Sequence, residues 1–401
     1  MKTITVLGNN SGRNVGDNAI LGNLLNDFTQ EQSDLIFQIP TLNTRFIRSN
    51  FGNYPIHAMG LMPWNFAIKN FGWPLFRAMT KTDVVLITDN ILFDRKFNNP
   101  LVNNLKSIAF FSSFCKKKGI PIVLYNASVG PIDHPEGVKA FQKVLDACRL
   151  IITRDIQTKK LIEDLQLRHT EIIVNADCAL NTKSPSEKHI QQIIEKEDLF
   201  KNPNGTIGLN VNAYIDTWSK KGKLKREDFC KIIAGTADRL IELLDVDILF
   251  TITQIMDYAI TGECVRYIRS KDRISVVGNK NMTYQEMAGL LGKVGVHAGL
   301  RTHTLIFCAA MQTPMISINA YPKSVAFIET IGMGDWNISF DELSVEKLSG
   351  IILRCWENRE ELRNKMKPIV DQEKKKARSS ARLVLDVLNS KNENNKKVGD
   401  E

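Results

Sequence analysis

The stretch Asp83-Val84-Val85-Leu86-Ile87-Thr88 decides how this chain folds. Its Val, Leu and Ile residues run on without any alternation of apolar and polar side chains. A strand with one face in water would alternate, so an unbroken run reads as a strand buried on both faces. Burial on both faces requires helices above and below the sheet, and therefore a chain that alternates strands with helices.

The flanking sequence alternates in that way. Before the run, Thr3–Leu7 and Asp34–Ile39 are strand candidates, with a glycine-rich loop and a helix from about Asn18 between them. After it, Ile120–Tyr125, Leu150–Thr153 and Ile172–Val174 repeat its character. Helical patterns separate them over Asn103–Lys118, Gly137–Cys148 and Gln157–Leu165. Such order implies a parallel sheet with crossover helices. The polar segment Asn181–Asn204, with Pro185, Pro203 and a helical stretch Glu187–Glu197, leads into a second unit.

The pattern then restarts. Thr206–Val211, Asp247–Thr253, Ile274–Val277, Val294–His297 and Pro314–Ile318 read as strands. Arg226–Leu244, Tyr258–Ser270, Tyr284–Gly292 and Arg301–Met311 read as helices. A final helical region, Val345 to Leu388, is expected to break or bend near Pro368. The expected fold class is α/β: two successive open α/β domains, 1–185 and 186–345, followed by C-terminal helices and a basic tail, 346–401. A chain of 401 residues is long enough for a sizeable core in each half.

Composition narrows the partners. The formal charge of +9 admits nucleic acid, an anionic membrane surface or an anionic substrate. Zinc-finger spacing and interleaved aromatics are absent from the sequence, so nucleic acid is set aside. Seven cysteines without a C-x-x-C pair point to a reducing compartment rather than a disulfide framework or a zinc site. The N-terminus enters a strand without a signal-peptide pattern, and no apolar run reaches about eighteen residues. The expected location is cytoplasmic. The basic stretch Arg363, Lys374, Lys375, Lys376, Arg378 and Arg382 reads either as a solvated helix face or as an attachment to anionic lipid at the inner face of the plasma membrane.

In open α/β sheets, ligands bind beyond the carboxyl ends of strands, so the residues there are the site candidates. The first loop reads Gly8-Asn9-Asn10-Ser11-Gly12-Arg13-Asn14-Val15-Gly16-Asp17-Asn18. Asn9, Gly16, Asp17 and Asn18 could meet a ligand, and Asp17 or Asn18 could equally cap the following helix. Asp89 and Asp94 follow the third strand, Asp83–Thr88; they could bind sugar hydroxyls, act as a base, or satisfy loop amides. Asn126 ends a further strand in a polar turn.

Arg154 precedes Asp155 at another strand end. It could form a surface ion pair or use its rigid donor fork on a carboxylate or phosphate. Gly295-Val296-His297-Ala298-Gly299-Leu300-Arg301-Thr302-His303-Thr304 leads from a short strand through glycine into an apolar helix. Arg301 and His303 at that helix start could make an anion site with a proton-transfer group, or Arg301 or Thr302 could simply open the helix with His303 as a satisfied, half-buried histidine. The next strand ends at Asn319-Ala320-Tyr321-Pro322-Lys323, which adds Lys323 as a second cation. Metal-ligand spacing is missing, so metal-independent chemistry is expected.

On these residues the sequence resembles the polysaccharide pyruvyl transferase family. The resemblance rests on Gly16-Asp17-Asn18-Ala19-Ile20, Arg154-Asp155, Asp177-Cys178-Ala179, Arg301-Thr302-His303, Pro314 and the shortened turn Tyr321-Pro322-Lys323. It runs in order from residue 1 to about residue 335. Where many members carry Gly-Gly-Gly after the third strand, this chain has Thr88-Asp89-Asn90. The resemblance implies two facing Rossmann-like domains, a fold similar to that of GT-B glycosyltransferases, and phosphoenolpyruvate as co-substrate, with no cofactor. It implies a sugar or lipid-linked glycan acceptor in exopolysaccharide or cell-wall biosynthesis, and a pyruvyl ketal as product. Within it, Arg154, Arg301 and Lys323 become donor-binding candidates and His303 the catalytic acid/base. Asn9, Gly16, Asp17, Asn18, Asp89, Asp94 and Asn126 become acceptor-binding or structural. The alternative reading is a glycosyltransferase of the same architecture using a nucleotide sugar, with Glu286 or Glu329 placed for a ribose.

Overall fold

The computed structural model describes residues 1–61, 72–99, 103–215, 224–319 and 322–397. The chain divides into two compact units: residues 1–12, 20–178 and 374–401 form the first, residues 13–19 and 179–373 the second. The chain passes from the first unit to the second at residue 178, and the C-terminal helices belong to both.

In chain order, the first unit's elements are β1 (Lys2–Leu7), α1 (Val15–Glu31), β2 (Leu35–Thr41), α2 (Thr44–Phe51), β3 (Ile56–Gly60), α3 (Trp73–Thr80), β4 (Val84–Ile87), α4 (Leu105–Lys117), β5 (Ile122–Ala127), α5 (Pro135–Leu145), β6 (Cys148–Thr153), α6 (Ile156–Asp164) and β7 (Ile172–Val174). Its sheet is parallel throughout, in the order β3-β2-β1-β4-β5-β6-β7. All of β4 and β5 is buried, as the unbroken apolar run predicts. Phe28 of α1 closes one face, its ring 6.0 Å from Phe37 and 5.5 Å from Tyr125. On the other face, Val85 and Ile87 join Leu105, Ile108, Phe111 and Phe141 in one apolar cluster. Each such buried side chain contributes about 1.5–3 kcal/mol.

The second unit continues with α7 (Glu187–Lys196), β8 (Thr206–Asn210), α8 (Arg226–Leu244), β9 (Asp247–Ile252), α9 (Tyr258–Tyr267), β10 (Ile274–Gly278), α10 (Tyr284–Leu291), β11 (Val296–Gly299), α11 (Thr302–Ala310), β12 (Met315–Asn319), α12 (Pro322–Thr330), β13 (Asn337–Ser339), α13 (Val345–Glu357) and α14 (Arg359–Lys397). Its parallel order is β10-β9-β8-β11-β12-β13. Both sheets therefore reverse direction beside their first strand, between β1 and β4 and between β8 and β11. That reversal is where doubly wound sheets open a crevice for ligands.

Three expectations change. The edge strands β3 and β13 were not anticipated, because edge strands are only partly buried and carry no long apolar run. Helix α1 starts at Val15, not Asn18. Asn14 holds its first turn, with Oδ1 accepting the Gly16 N–H at 2.9 Å, so Asp17 and Asn18 lie inside the helix instead of capping it. The C-terminal helical region is interrupted at Asn358, and the following helix runs on through Pro368. Side chains end α13: Asn358 Nδ2 donates to the Arg354 carbonyl at 2.7 Å and Arg359 to the Trp356 carbonyl at 2.6 Å.

The assignment of residues 13–19 to the second unit has a direct cause. Val15 N–H donates to the Thr253 carbonyl at 2.9 Å, and Ile255 N–H to the Arg13 carbonyl at 3.2 Å. Asn279 Nδ2 also reaches the Arg13 carbonyl, at 2.8 Å. A short antiparallel bridge, Asn14 to Gln254, thus stitches the glycine loop onto the end of β9.

Candidate functional site

The second unit's switch point is built around Arg301. Strands β8 and β11 pair with Asn210 opposite Gly299. Asn210 spends its amide on both neighbours: Nδ2 donates to the Thr251 carbonyl at 2.7 Å, and Oδ1 accepts the Arg301 N–H at 3.0 Å. Arg301 therefore leaves the sheet in a fixed direction as the residue before α11. Its Nε donates to Asp257 Oδ2 at 2.8 Å and its Nη2 to Oδ1 at 2.7 Å. Asp257 is fully buried and also accepts the Ala213 N–H at 2.9 Å. The guanidinium lies over Tyr214, 5.5 Å from its ring centre.

This is a two-point carboxylate–guanidinium fork, which fixes the plane of the arginine. The pair is formally neutral. Its pull on an anion comes from the guanidinium edge turned away from Asp257, together with the N-terminus of α11. Asp257 was not anticipated: it closes a short helical turn after β9, 44 positions from Arg301. Only the sheet order β9-β8-β11 brings the two together.

His303 sits in the first turn of α11, and its ring packs on the backbone of Gly16. A β-carbon at residue 16 would stand 2.2 Å from His303 Cγ and Nδ1. Any side chain there would displace the imidazole, so glycine is required for close approach rather than for backbone conformation. The loop residues Gly16, Asp17 and Asn18 are thereby joined to the Arg301–His303 motif within one unit. The motif's other histidine, His297, is wholly buried in β11. Burial lowers its pKa from 6.5 to about 3, which keeps it neutral. Neither of its ring nitrogens has a hydrogen-bond partner among the described residues. His303, by contrast, is only partly buried, at the start of α11.

Lys323 falls in the first turn of α12 rather than in a turn beyond β12. Its side chain and Tyr321 lie outside the described residues. Its neighbour Ser324 meets Thr302 of α11, hydroxyl to hydroxyl at 2.8 Å, so the first turns of the two helices touch. Glu286 is engaged elsewhere: it closes a capping box with Thr283 and pairs with His189 Nε2 at 2.7 Å. Glu329 is exposed near the end of α12.

The first unit presents different chemistry. At its switch point Asp89, in the left-handed region at φ 59°, accepts the Asn9 N–H at 2.6 Å. Arg154 donates to Asp177 at 2.5 Å, a pair with both side chains largely buried. Burial lowers the Arg154 pKa, but Asp177, Asp155 and Asp89 outweigh it and hold the group above its ordinary value. Asp155 also caps α6, accepting the Thr158 N–H at 2.7 Å and the Ser128 hydroxyl at 2.6 Å. Asp94 accepts the N–H groups of Asp133 and His134 at 2.7 and 2.6 Å, tying two loops. Asn126 Oδ1 accepts the hydroxyl of Ser380 in α14 at 2.7 Å. Asn175 Nδ2 donates to the same Ser380 at 2.8 Å.

Two parallel, Rossmann-like units define a GT-B type fold, and solved structures bear this out. The putative UDP-N-acetylglucosamine 2-epimerase of Listeria monocytogenes superposes with a TM-score of 0.68 at 11% identity, covering 98% of this chain and 97% of its own. The Anabaena protein HepE in complex with UDP-glucose superposes with a TM-score of 0.65 at 12% identity, over 97% and 100%. The chain belongs to the polysaccharide pyruvyl transferase family, whose sequence profile matches residues 14–320. The amylovoran biosynthesis protein AmsJ of Erwinia amylovora is 21% identical over 92% of this chain and 96% of its own length. The protein is thus an enzyme of the polysaccharide pyruvyl transferase type. Among the described residues no helix is long and apolar enough to cross a membrane.

Proposed function

We propose that the enzyme moves the pyruvyl group of phosphoenolpyruvate onto two hydroxyls of one sugar in a polysaccharide or its precursor, releasing phosphate. The likeness to a protein named for amylovoran biosynthesis supports a polysaccharide acceptor. The observation that carries the reading is the junction after β11. There an arginine held in plane by Asp257 and a histidine seated on Gly16 share one helix start. A donor with a carboxylate and a phosphate needs such oriented cations. Arg301 is the first, and Lys323 the second.

His303 gives a proton to the methylene carbon of the enol while a sugar hydroxyl attacks the adjacent carbon. The first new C–O bond forms there, and His303 recovers the proton that this hydroxyl loses. The C–O bond to phosphate then breaks, phosphate departs with the bonding pair, and the second hydroxyl closes the ketal. Its proton leaves with phosphate. Asp17, one residue beyond Gly16, is our candidate to orient the acceptor.

The test is phosphate release from phosphoenolpyruvate in the presence of a cell-envelope polysaccharide fraction. His303→Ala should lower turnover by about 10²–10⁴-fold while phosphoenolpyruvate still binds. Gly16→Ala, which forces the imidazole from its seat, should cost about 10²-fold with the thermal midpoint little changed. Near-normal turnover of His303→Ala would remove the histidine from the chemistry.

A further inference from the structure

We infer that the outer face of α3 and α4 in the first unit is a docking surface for a bilayer containing anionic lipid. This goes beyond the donor chemistry and does not depend on it. Trp73, Phe110 and Phe114 are 59%, 51% and 39% exposed. They belong to one aromatic cluster with Phe76, whose ring lies 5.6 Å from Trp73 and 5.4 Å from Phe114. Phe110 lies 5.5 Å from Phe114. Single exposed apolar residues are ordinary, but a joined aromatic patch open to water marks an interaction site.

The charges beside the patch choose the partner. Along α4, Lys106, Phe110, Phe114 and Lys117 recur at helical spacing, so two rings stand on one face between two cations. A groove of about 430 Å³ runs from this stripe to α5, where Lys139 and Lys143 line it with Phe97 and Phe110; among the described residues Glu136 is its one carboxylate. Rings that enter the acyl boundary, with lysines that stay at headgroup level, are the interfacial pattern. A second copy fits poorly, because a two-fold contact would set these lysines against their own equivalents. The basic stretch of α14 offers less. Its apolar side, Ala377, Ala381, Val384 and Leu388, is buried, and among the described residues no large apolar side chain is exposed beside its cations. A membrane-presented acceptor would then reach the enzyme from the side of the first unit.

The test is co-sedimentation of the full chain with vesicles of phosphatidylcholine alone or with phosphatidylglycerol added. The expected result is binding to the anionic vesicles that weakens with salt. Phe110→Ser combined with Phe114→Ser should lower the partition coefficient by at least about tenfold. Lys139→Gln and Lys143→Gln, both on an exposed surface, should each lower it by about fivefold without altering the thermal midpoint. Three outcomes would overturn the inference: no binding to anionic vesicles, equal binding by the serine and glutamine variants, or dimerisation in solution that the serine variant abolishes.

Discussion

At the end of β1 and β4 the backbone N–H of Asn9 is caught by the carboxylate of Asp89, at 2.6 Å. At the equivalent point of the second unit the backbone N–H of Arg301 is caught by the amide of Asn210, at 3.0 Å. In both sheets a side chain at one strand end thus holds a backbone N–H beyond the neighbouring strand, but the charge loaded there differs, an excess of carboxylates in the first and a balanced pair in the second. The first gathers Asp89, Asp155 and Asp177 around one arginine, Arg154. The second balances Arg301 against a single carboxylate, Asp257, and keeps a histidine beside it. A surplus of carboxylates suits hydroxyl groups, and an oriented guanidinium at a helix start suits an anion. Our reading of the donor site follows from that difference.

The comparison can be broken by removing the paired acids. Asp257→Asn leaves Arg301 beside a buried group that no longer carries charge, and should cost about 3 kcal/mol of stability in urea unfolding. Asp177→Asn leaves Arg154 with Asp155 and Asp89, and should cost only about 1 kcal/mol. Equal losses would mean that the two arginines are held alike.

A second, smaller effect sharpens the picture of the histidines. His297 is neutral when folded, with its pKa lowered from 6.5 to about 3 by burial. Below pH 6.5 the unfolded chain takes up a proton that the folded chain refuses. The stability it confers is therefore complete above that pH and is lost progressively as pH falls toward 3. Between pH 7 and pH 5 the loss from this group should be about 2 kcal/mol. His297→Leu should remove that part of the pH dependence; an unchanged slope would show that His297 takes up a proton in the folded state.

Much of this was legible in the sequence, for reasons that also mark its limits. Asp83–Thr88 announced a doubly buried strand because every residue from Val84 to Ile87 is covered. Helix α8 was read to its ends from its apolar period. The strand β3, Ile-His-Ala-Met-Gly, carries no such signal because an edge strand need not be apolar. Arg301 and His303 were legible as a local motif, since three positions on a helix start bring them to one turn. Their partners were not. Asp257 and Asn210 reach Arg301 only through the order of strands in the sheet, which no local pattern encodes. Gly16 was noted as part of a loop, but its use, a seat for an imidazole 287 positions away, depends on the bridge from Asn14 to Gln254. Arg154 and Asp177 were each seen at a strand end, and only the three-dimensional structure joins them.

The central claim is that the second unit's switch point holds the anionic donor. Amide hydrogen exchange with and without phosphoenolpyruvate tests it most directly. We predict slowed exchange over residues 296–305 and 13–18, and little change over residues 86–90. Protection by UDP-glucose, with none over residues 296–305 from phosphoenolpyruvate, would contradict it.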